Sequence, residues 1–310
     1  MAKHQFGGRW TEIKLDTVCY YLECYTKALS RRNFDLWYID AFAGAGERSE
    51  EQLSGGLLEG KALEWVTKTL PGSALRALAI EPPFQHFIFN DKNEEHQRAL
   101  NAIKAARRGV DIEVLGDDGN AAIAEIFSRQ IWRRGSSGGA RAVVFLDPYA
   151  LQVNWTTLEL LAKTECVDVW YLFPIRDVTR QLAKKISGIG AKGRRLDLVL
   201  SPAWRDLYSL PPPQNDDVPL LSSILKVADE ERRAATQKQI EEWFRGRLNS
   251  IFAYASEPLR ILTGKTRQAF SLFLAIANPS APAINLAKHF HSHVLKNFAP
   301  EQASHRKSAR

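Results

Sequence analysis

Cysteine is scarce in this chain of 310 residues: Cys19, Cys24 and Cys166 are the only three, and none belongs to a Cys-x-x-Cys pair. That usage argues against a zinc ribbon or a disulfide framework and fits a reducing cytoplasm. Long apolar runs are missing too. No stretch approaches the roughly 20 apolar residues that span a bilayer, and the opening Met1-Ala2-Lys3-His4-Gln5-Phe6 lacks the apolar segment of a secretion signal. A cytoplasmic chain with no membrane partner is therefore expected. No internal repeat is found. What remains is an ordinary globular composition, 45% hydrophobic and 25% charged, long enough for one large α/β domain or two small ones. The formal charge of +7 and pI near 9.3 are compatible with a polyanionic partner, RNA or DNA. Many basic proteins bind neither.

The most informative stretch is Trp37-Tyr38-Ile39-Asp40-Ala41-Phe42-Ala43-Gly44-Ala45-Gly46-Glu47. An apolar run closes on an acid and enters a Gly-x-Gly turn, as a buried parallel strand does when it delivers the chain to a ligand-facing loop. Glycine permits positive φ and close backbone approach. Further apolar runs, each reading as a strand, end at Asp91, at Gly116-Asp117 and at Asp147-Pro148-Tyr149, and Val167 to Phe173 forms a fifth. Helical periodicity separates them: Trp10 to Leu29 (with Thr11 near its start), Leu57 to Thr69, Asn93 to Arg107, Ala121 to Trp132 and Thr156 to Lys163. Glu47 to Gly56 reads as a mobile loop, and Arg134 to Gly139 as a Gly/Ser-rich surface loop. Such alternation predicts a doubly wound, Rossmann-like α/β sheet, mostly parallel. From Arg176 to Phe252 the chain turns polar and mostly helical, an expected insertion. Leu259 to Ile276 then predicts an antiparallel hairpin, followed by a last helix from Ala283 to Asn297.

Acids at strand ends either cap loops or hold ligands. Asp-x-Phe-Ala-Gly-x-Gly, from Asp40 through Phe42, Ala43, Gly44 and Gly46, resembles the first motif of class I S-adenosylmethionine (SAM) methyltransferases. It fits a dinucleotide fingerprint poorly, since Arg48 stands nearest the third glycine. On that resemblance Asp40 faces the methionine end of the cofactor or a water beneath it, and Gly44 and Gly46 line a backbone cradle. Asp91 accepts the ribose hydroxyls, and Asp117 the adenine amino group, in competition with Asp118 and Asn120. Phe145-Leu146-Asp147-Pro148-Tyr149 resembles the Asp/Asn-Pro-Pro-Tyr/Phe motif of methyltransferases acting on exocyclic base amines. One proline is missing, which brings it nearer the Asp-Pro-Tyr/Phe form of tRNA guanine N2-methyltransferases. In that role the Asp147 carboxylate and the Pro148 carbonyl accept the amine N–H groups and Tyr149 stacks on the base. A strand-to-helix turn with proline after a capping Asp is the plain alternative.

Other patterns carry less. His289 and His293 share a helix face as a metal pair would, but a surface helix is the stronger reading, and no metal is expected. Gly264-Lys265-Thr266 lacks the first glycine of a phosphate loop, and Ser136 and Ser137 lack a nucleophile elbow.

Trp10-Thr11-Glu12-Ile13-Lys14-Leu15, Leu36 to Gly44, Gly72 to Leu78, Phe145 to Gln152 and Trp170 to Pro174 together resemble the three-Cys-motif partner (TcmP) family over most of the chain. That resemblance implies a class I methyltransferase-like fold and a partner protein containing three cysteines, without a settled reaction. It also suggests that Thr11 and Lys14 reach the methionine carboxylate, although either is equally readable as a solvated helix residue. Ala150 stands where glycine is expected, and Asn90-Asp91 where a Glu-Lys-Asp-like sequence is usual. The expected organisation is a methyltransferase-like core over 1–175, a helical insertion over 176–252, a C-terminal hairpin and helix over 253–300, and a basic tail over 301–310. The leading expectation is N-methylation of a base amine in RNA or DNA; a silent scaffold and a small-molecule methyltransferase are the alternatives.

Overall fold

The computed structural model describes residues 9–56, 61–132, 138–208, 235–263 and 267–298. Helix α1 (Arg9–Leu29) buries Leu15, Val18, Leu22 and Tyr25, spaced three and four apart on one face. Strand β1 (Phe34–Asp40) pairs in parallel with β4 (His86–Asn90) on one side and β6 (Gly139–Leu146) on the other. Strand β5 (Asp111–Leu115) extends the sheet beyond β4, and β7 (Val167–Phe173) beyond β6, both parallel. The long strand β10 (Arg267–Ile276) then adds antiparallel to β7, and it pairs antiparallel with both β8 (Tyr254–Ala255) and β9 (Leu259–Thr263). The order is β5-β4-β1-β6-β7-β10-β8, so the sheet is mostly parallel with an antiparallel C-terminal edge. This is the expected Rossmann-like arrangement.

Strand alternation divides the core into two layers. On one face, Ile39, Ile88, Val144, Val169, Tyr171 and Phe173 meet α4 (Gly119–Ser128), α5 (Trp155–Thr164), α6 (Ile175–Gln181), α7 (Gly193–Leu200) and α8 (Gln237–Asn249). On the other, Tyr38, Phe87, Phe89, Val143, Phe145 and Trp170 meet α1, α2 (Ser73–Ala77), α3 (Glu94–Ala106) and α9 (Ala281–Phe298). Every residue of β7 is buried, as a strand covered on both faces requires. Within 176–252 the described helices pack onto the first of these layers: Phe244 of α8 stacks on Phe173 of β7, ring centroids 3.9 Å apart and planes within 6°. Residues 209–234 lie outside the described chain, as do Ser136 and Ser137, the 264–266 turn and the 301–310 tail.

One expectation is overturned. Leu57 to Thr69 was expected to be a helix preceded by a loop, but β2 (Glu47–Gly56) pairs antiparallel with β3 (Lys61–Pro71) in a separate two-stranded ribbon. The β-branched Val66, Thr67 and Thr69 favour extended chain over helix. At the ribbon's root, Gly72 N–H donates to the Gly46 carbonyl at 2.8 Å. The short strand β8 had no signal of its own.

Candidate functional site

The chain's direction around the sheet reverses at β1, whose neighbours β4 and β6 lead to opposite wings; ligands in open α/β sheets bind at the carboxyl ends beside such a point. Register brings these ends level. Asp40 stands opposite Phe89 of β4 and Phe145 of β6, and Asn90 opposite Leu115 of β5.

The turn after β1 is fixed from both sides. Ala41 N–H donates to the Phe145 carbonyl at 3.2 Å and Ala43 N–H to the Asn90 carbonyl at 2.9 Å. Gly44 follows at φ +62°, and its N–H donates to Asp91 Oδ2 at 3.0 Å. Space is open where a Gly44 side chain would be, so its need is conformational. Gly46, at φ +76°, is needed for its conformation too; a Cβ there would lie 2.5 Å from the tip of the Ile103 side chain, which would have to shift.

Asn90 and Asp91 carry the β4 end. The Asn90 amide donates to the carbonyls of Ala41 and Asp117, both at 3.0 Å, and its oxygen accepts from Asp117 N–H at 3.0 Å. It thereby clips the β1, β4 and β5 loops together. Asp91 is buried; Oδ1 accepts from Asn93 N–H at 2.8 Å, and His96 Nδ1 lies 3.1 Å from Oδ2. Asp118 caps α4 by accepting from Asn120 N–H at 3.0 Å, and Asn120 binds the Gln152 carbonyl, Asn154 N–H and Thr157 hydroxyl. Asp117 and Asp118 both line the cavity.

That cavity, of about 200 Å³, is walled by Phe42, Asn90, Asp91, His96, Asp117 and Tyr149, among others. Phe42 lies against Gly119 so closely that a Cβ there would come within 2.6 Å of the ring. The volume is below the roughly 300–1,000 Å³ of whole-ligand pockets, a size for part of a ligand such as a nucleoside.

Beside the cavity lies a second, charged group. Asp40 is fully buried, and its Oδ2 has no hydrogen-bond partner. Burial pushes its carboxyl up to about 7; the Asp147 charge adds to this, while the Ser73 hydroxyl, Phe42 N–H and Lys14 oppose it. Asp147 is ion-paired through Oδ2 with Lys14 Nζ, whose side chain is only 5% exposed against 23% for Asp147. Trp10 and Phe145 place their rings 5.5 and 5.9 Å from that ammonium. Thr11, one turn earlier on α1, is buried with its hydroxyl unpartnered. Pro148 is buried, whereas Tyr149 is 58% exposed; Tyr149 N–H donates to Gln152 Oε1 at 2.9 Å. Burial, then the charges of Asp91 and Asp147, raise the Tyr149 phenol.

The structure thus gathers Phe42, Asp91, Asp117 and Tyr149 around one cavity, and Asp40, Asp147 and Lys14 in a cluster alongside. Ala43 and Gly46 shape the turn without walling the cavity. His96 and Gln152 carry no signal in the sequence, Asn90 carries one only as a neighbour of Asp91 at a strand end, and Asn120, weighed against Asp117, is engaged instead by Gln152, Asn154 and Thr157. Elsewhere, His293 stacks on Tyr20 with centroids 5.0 Å apart, and among the described residues no group of three or more His, Cys, Asp or Glu is placed to hold a metal. No described helix is long and apolar enough to cross a membrane.

Unpartnered polar atoms on Asp40 and Thr11, a positive-φ glycine turn bonded to Asp91, and a cavity walled by that acid are features that a nucleoside-bearing, zwitterionic ligand could use.

No protein-family model matches the sequence, and no curated protein matches it. Among solved structures the chain is similar to LPL1258 from Legionella pneumophila strain Philadelphia 1, described as family DUF519. The TM-score is 0.51 at 12% identity, over 96% of this chain and 95% of that one. Looser matches include yhhF of Escherichia coli, a candidate methyltransferase by its description, with TM-score 0.31, 12% identity, and 57% and 75% of the two chains covered. A conserved protein of Streptococcus pyogenes scores 0.28 at 19% identity, covering 53% and 80%. Those two correspondences are too loose to define a shared fold. With LPL1258 the likeness runs along nearly the whole chain, and at 12% identity it is a likeness of fold alone.

Proposed function

We propose that this chain is a SAM-dependent methyltransferase acting on an exocyclic amine of a nucleic-acid base, working with a three-Cys-motif partner as a TcmP-type protein. The observation that carries the reading is the placement of Asp147-Pro148-Tyr149 level with the Gly44 turn. Tyr149 walls the same cavity as Asp91, and Asp147 neighbours the buried Asp40. Phe42, Ala43, Gly44, Gly46, Asp91 and Asp117 would hold the nucleoside half of the cofactor, and Asp40, Thr11 and Lys14 its methionine half. When bound, SAM supplies an electrophilic methyl group on a sulfonium.

The chain's own residues prepare the acceptor. An exocyclic amine is a poor nucleophile because its lone pair is delocalised into the ring. Asp147 and the Pro148 carbonyl accept its N–H groups and draw the nitrogen toward tetrahedral geometry, while Tyr149 stacks on the base. Lys14 pairs with the Asp147 carboxylate and fixes it in place. One observation favours a second reading, a catalytically silent scaffold: the ion pair with Lys14 already occupies one Asp147 oxygen.

Calorimetric titration with SAM and S-adenosylhomocysteine tests the cofactor assignment. Wild-type protein binds both, and Asp91→Ala weakens binding by about one to two orders of magnitude, or roughly 1.4–2.7 kcal/mol, for lost charge-assisted bonds. An unchanged dissociation constant removes Asp91 from the site.

A further inference from the structure

The nucleoside side of the cavity contains an ionisable group for which the reading above has no use. His96 is the third residue of α3, whose N-cap Asn93 accepts from the backbone N–H of both Glu95 and His96. The cap fixes the first turn of the helix, and so the point from which the imidazole projects. The ring walls the cavity together with Asp91, Asn93 and Asp117. Its Nδ1 lies 3.1 Å from Asp91 Oδ2, yet that buried nitrogen lacks a properly aligned hydrogen-bond partner. A buried imidazole nitrogen at bonding distance but out of line is an unfinished contact.

Asp91 shows what would finish it. Oδ1 is engaged by Asn93 N–H and Oδ2 by Gly44 N–H, so each oxygen retains acceptor capacity. With Gly44 N–H and an aligned His96 both on Oδ2, the direction left for a ribose hydroxyl is on Oδ1, and it must be aimed into the cavity. Backbone donors on two different loops tether the carboxylate from two sides; a third contact, from a side chain on a capped helix, fixes its rotation about the Cβ–Cγ bond.

We propose that His96 is the positioning residue of the nucleoside subsite: aligned on Asp91 Oδ2 through Nδ1–H, it completes the acceptor positions of that oxygen and sets Oδ1 to receive a hydroxyl of a ribose. This role rests on the SAM reading above, and it extends that reading by assigning the ribose, not the adenine or the methionine end, as the part of the ligand that His96 controls. Substituting His96 therefore penalises ligands that carry that hydroxyl. It also makes the two isosteres unequal. An asparagine amide nitrogen takes roughly the place of Nδ1, whereas a glutamine amide reaches the place of Nε2.

The experiment is calorimetry of wild type, His96→Ala, His96→Asn and His96→Gln with S-adenosylhomocysteine and with its 2′,3′-dideoxy counterpart. Thermal melts establish that each variant is folded. For S-adenosylhomocysteine, His96→Ala is expected to lose about ten-fold in affinity, the scale of one hydrogen bond to a charged group. His96→Asn recovers most of that loss and His96→Gln does not, while for the dideoxy ligand all four proteins bind within about two-fold of one another. An equal loss for both ligands would assign His96 a merely structural role, and unchanged affinity would remove it from the site; either overturns the proposal. Should His96→Ala fail to fold, the Asn and Gln variants still decide between these outcomes. Wild-type protein that binds neither ligand overturns the cofactor reading itself, a result distinct from failure of the His96 role.

Discussion

Lys14 of α1 is ion-paired with Asp147 at the end of β6, across 133 positions of sequence. The pair ties the N-terminal helix to the motif proposed to hold the acceptor. Its lysine is nearly buried, so removing one partner strands the other in a poorly solvated place.

A double-mutant cycle measures this link. Lys14→Met and Asp147→Asn are each expected to destabilise the protein, and the double variant less than their sum, with a coupling of about 1.5–3 kcal/mol from urea unfolding. Additive effects would show that the pair contributes nothing beyond its separate groups.

The buried carboxyls predict a pH dependence. The folded protein retains the Asp40 proton up to about 7, against 3.8 for an ordinary aspartate, and Asp168, buried beneath the Tyr21 hydroxyl, behaves alike. Folding therefore takes up protons between these values. The stability these groups contribute is fully present below about 3.8 and lost as pH rises through about 7. For each group the loss is on the order of 4 kcal/mol at most. Asp40→Asn should flatten the decline between pH ~4 and ~7 in denaturant titrations. A variant whose stability falls as steeply as wild type would show that Asp40 ionises freely in the fold.

Much of this architecture was legible in the sequence because a parallel sheet buried on both faces writes itself as apolar runs. The runs ending at Asp40, Asp91 and Asp147 fall where β1, β4 and β6 end or one residue beyond. The ribbon of β2 and β3 was not legible. Its two strands pair with each other in a separate sheet, and Leu57 to Thr69 reads equally as a helical period. In the site, the strand-end acids announced themselves by position. His96 and the partnership of Lys14 with Asp147 did not, because only the register of β1, β4 and β6 brings those residues to the same edge.

A basic run supplies a separate prediction. Lys184, Lys185, Lys192, Arg194 and Arg195 are all exposed, in the segment that follows β7. Reversing three or more of these charges should weaken RNA or DNA binding and flatten the dependence of affinity on salt. If filter binding over a range of salt concentrations shows the same affinity and slope, the run is a solvated surface and nothing more.

The most direct test of the central claim is transfer of an isotopically labelled methyl group from SAM to bulk RNA and DNA in the presence of the three-Cys-motif partner, read by mass spectrometry of the nucleosides. Wild-type protein should yield an N-methylated base. Asp147→Ala should abolish it while SAM affinity stays nearly intact, since the carboxylate acts on the acceptor amine. Tyr149→Ala should weaken substrate engagement by about 1–3 kcal/mol, and Tyr149→Phe should be tolerated, as stacking requires. Wild-type protein that binds SAM and labels no nucleoside, or an Asp147→Ala variant that retains full transfer, would contradict the account.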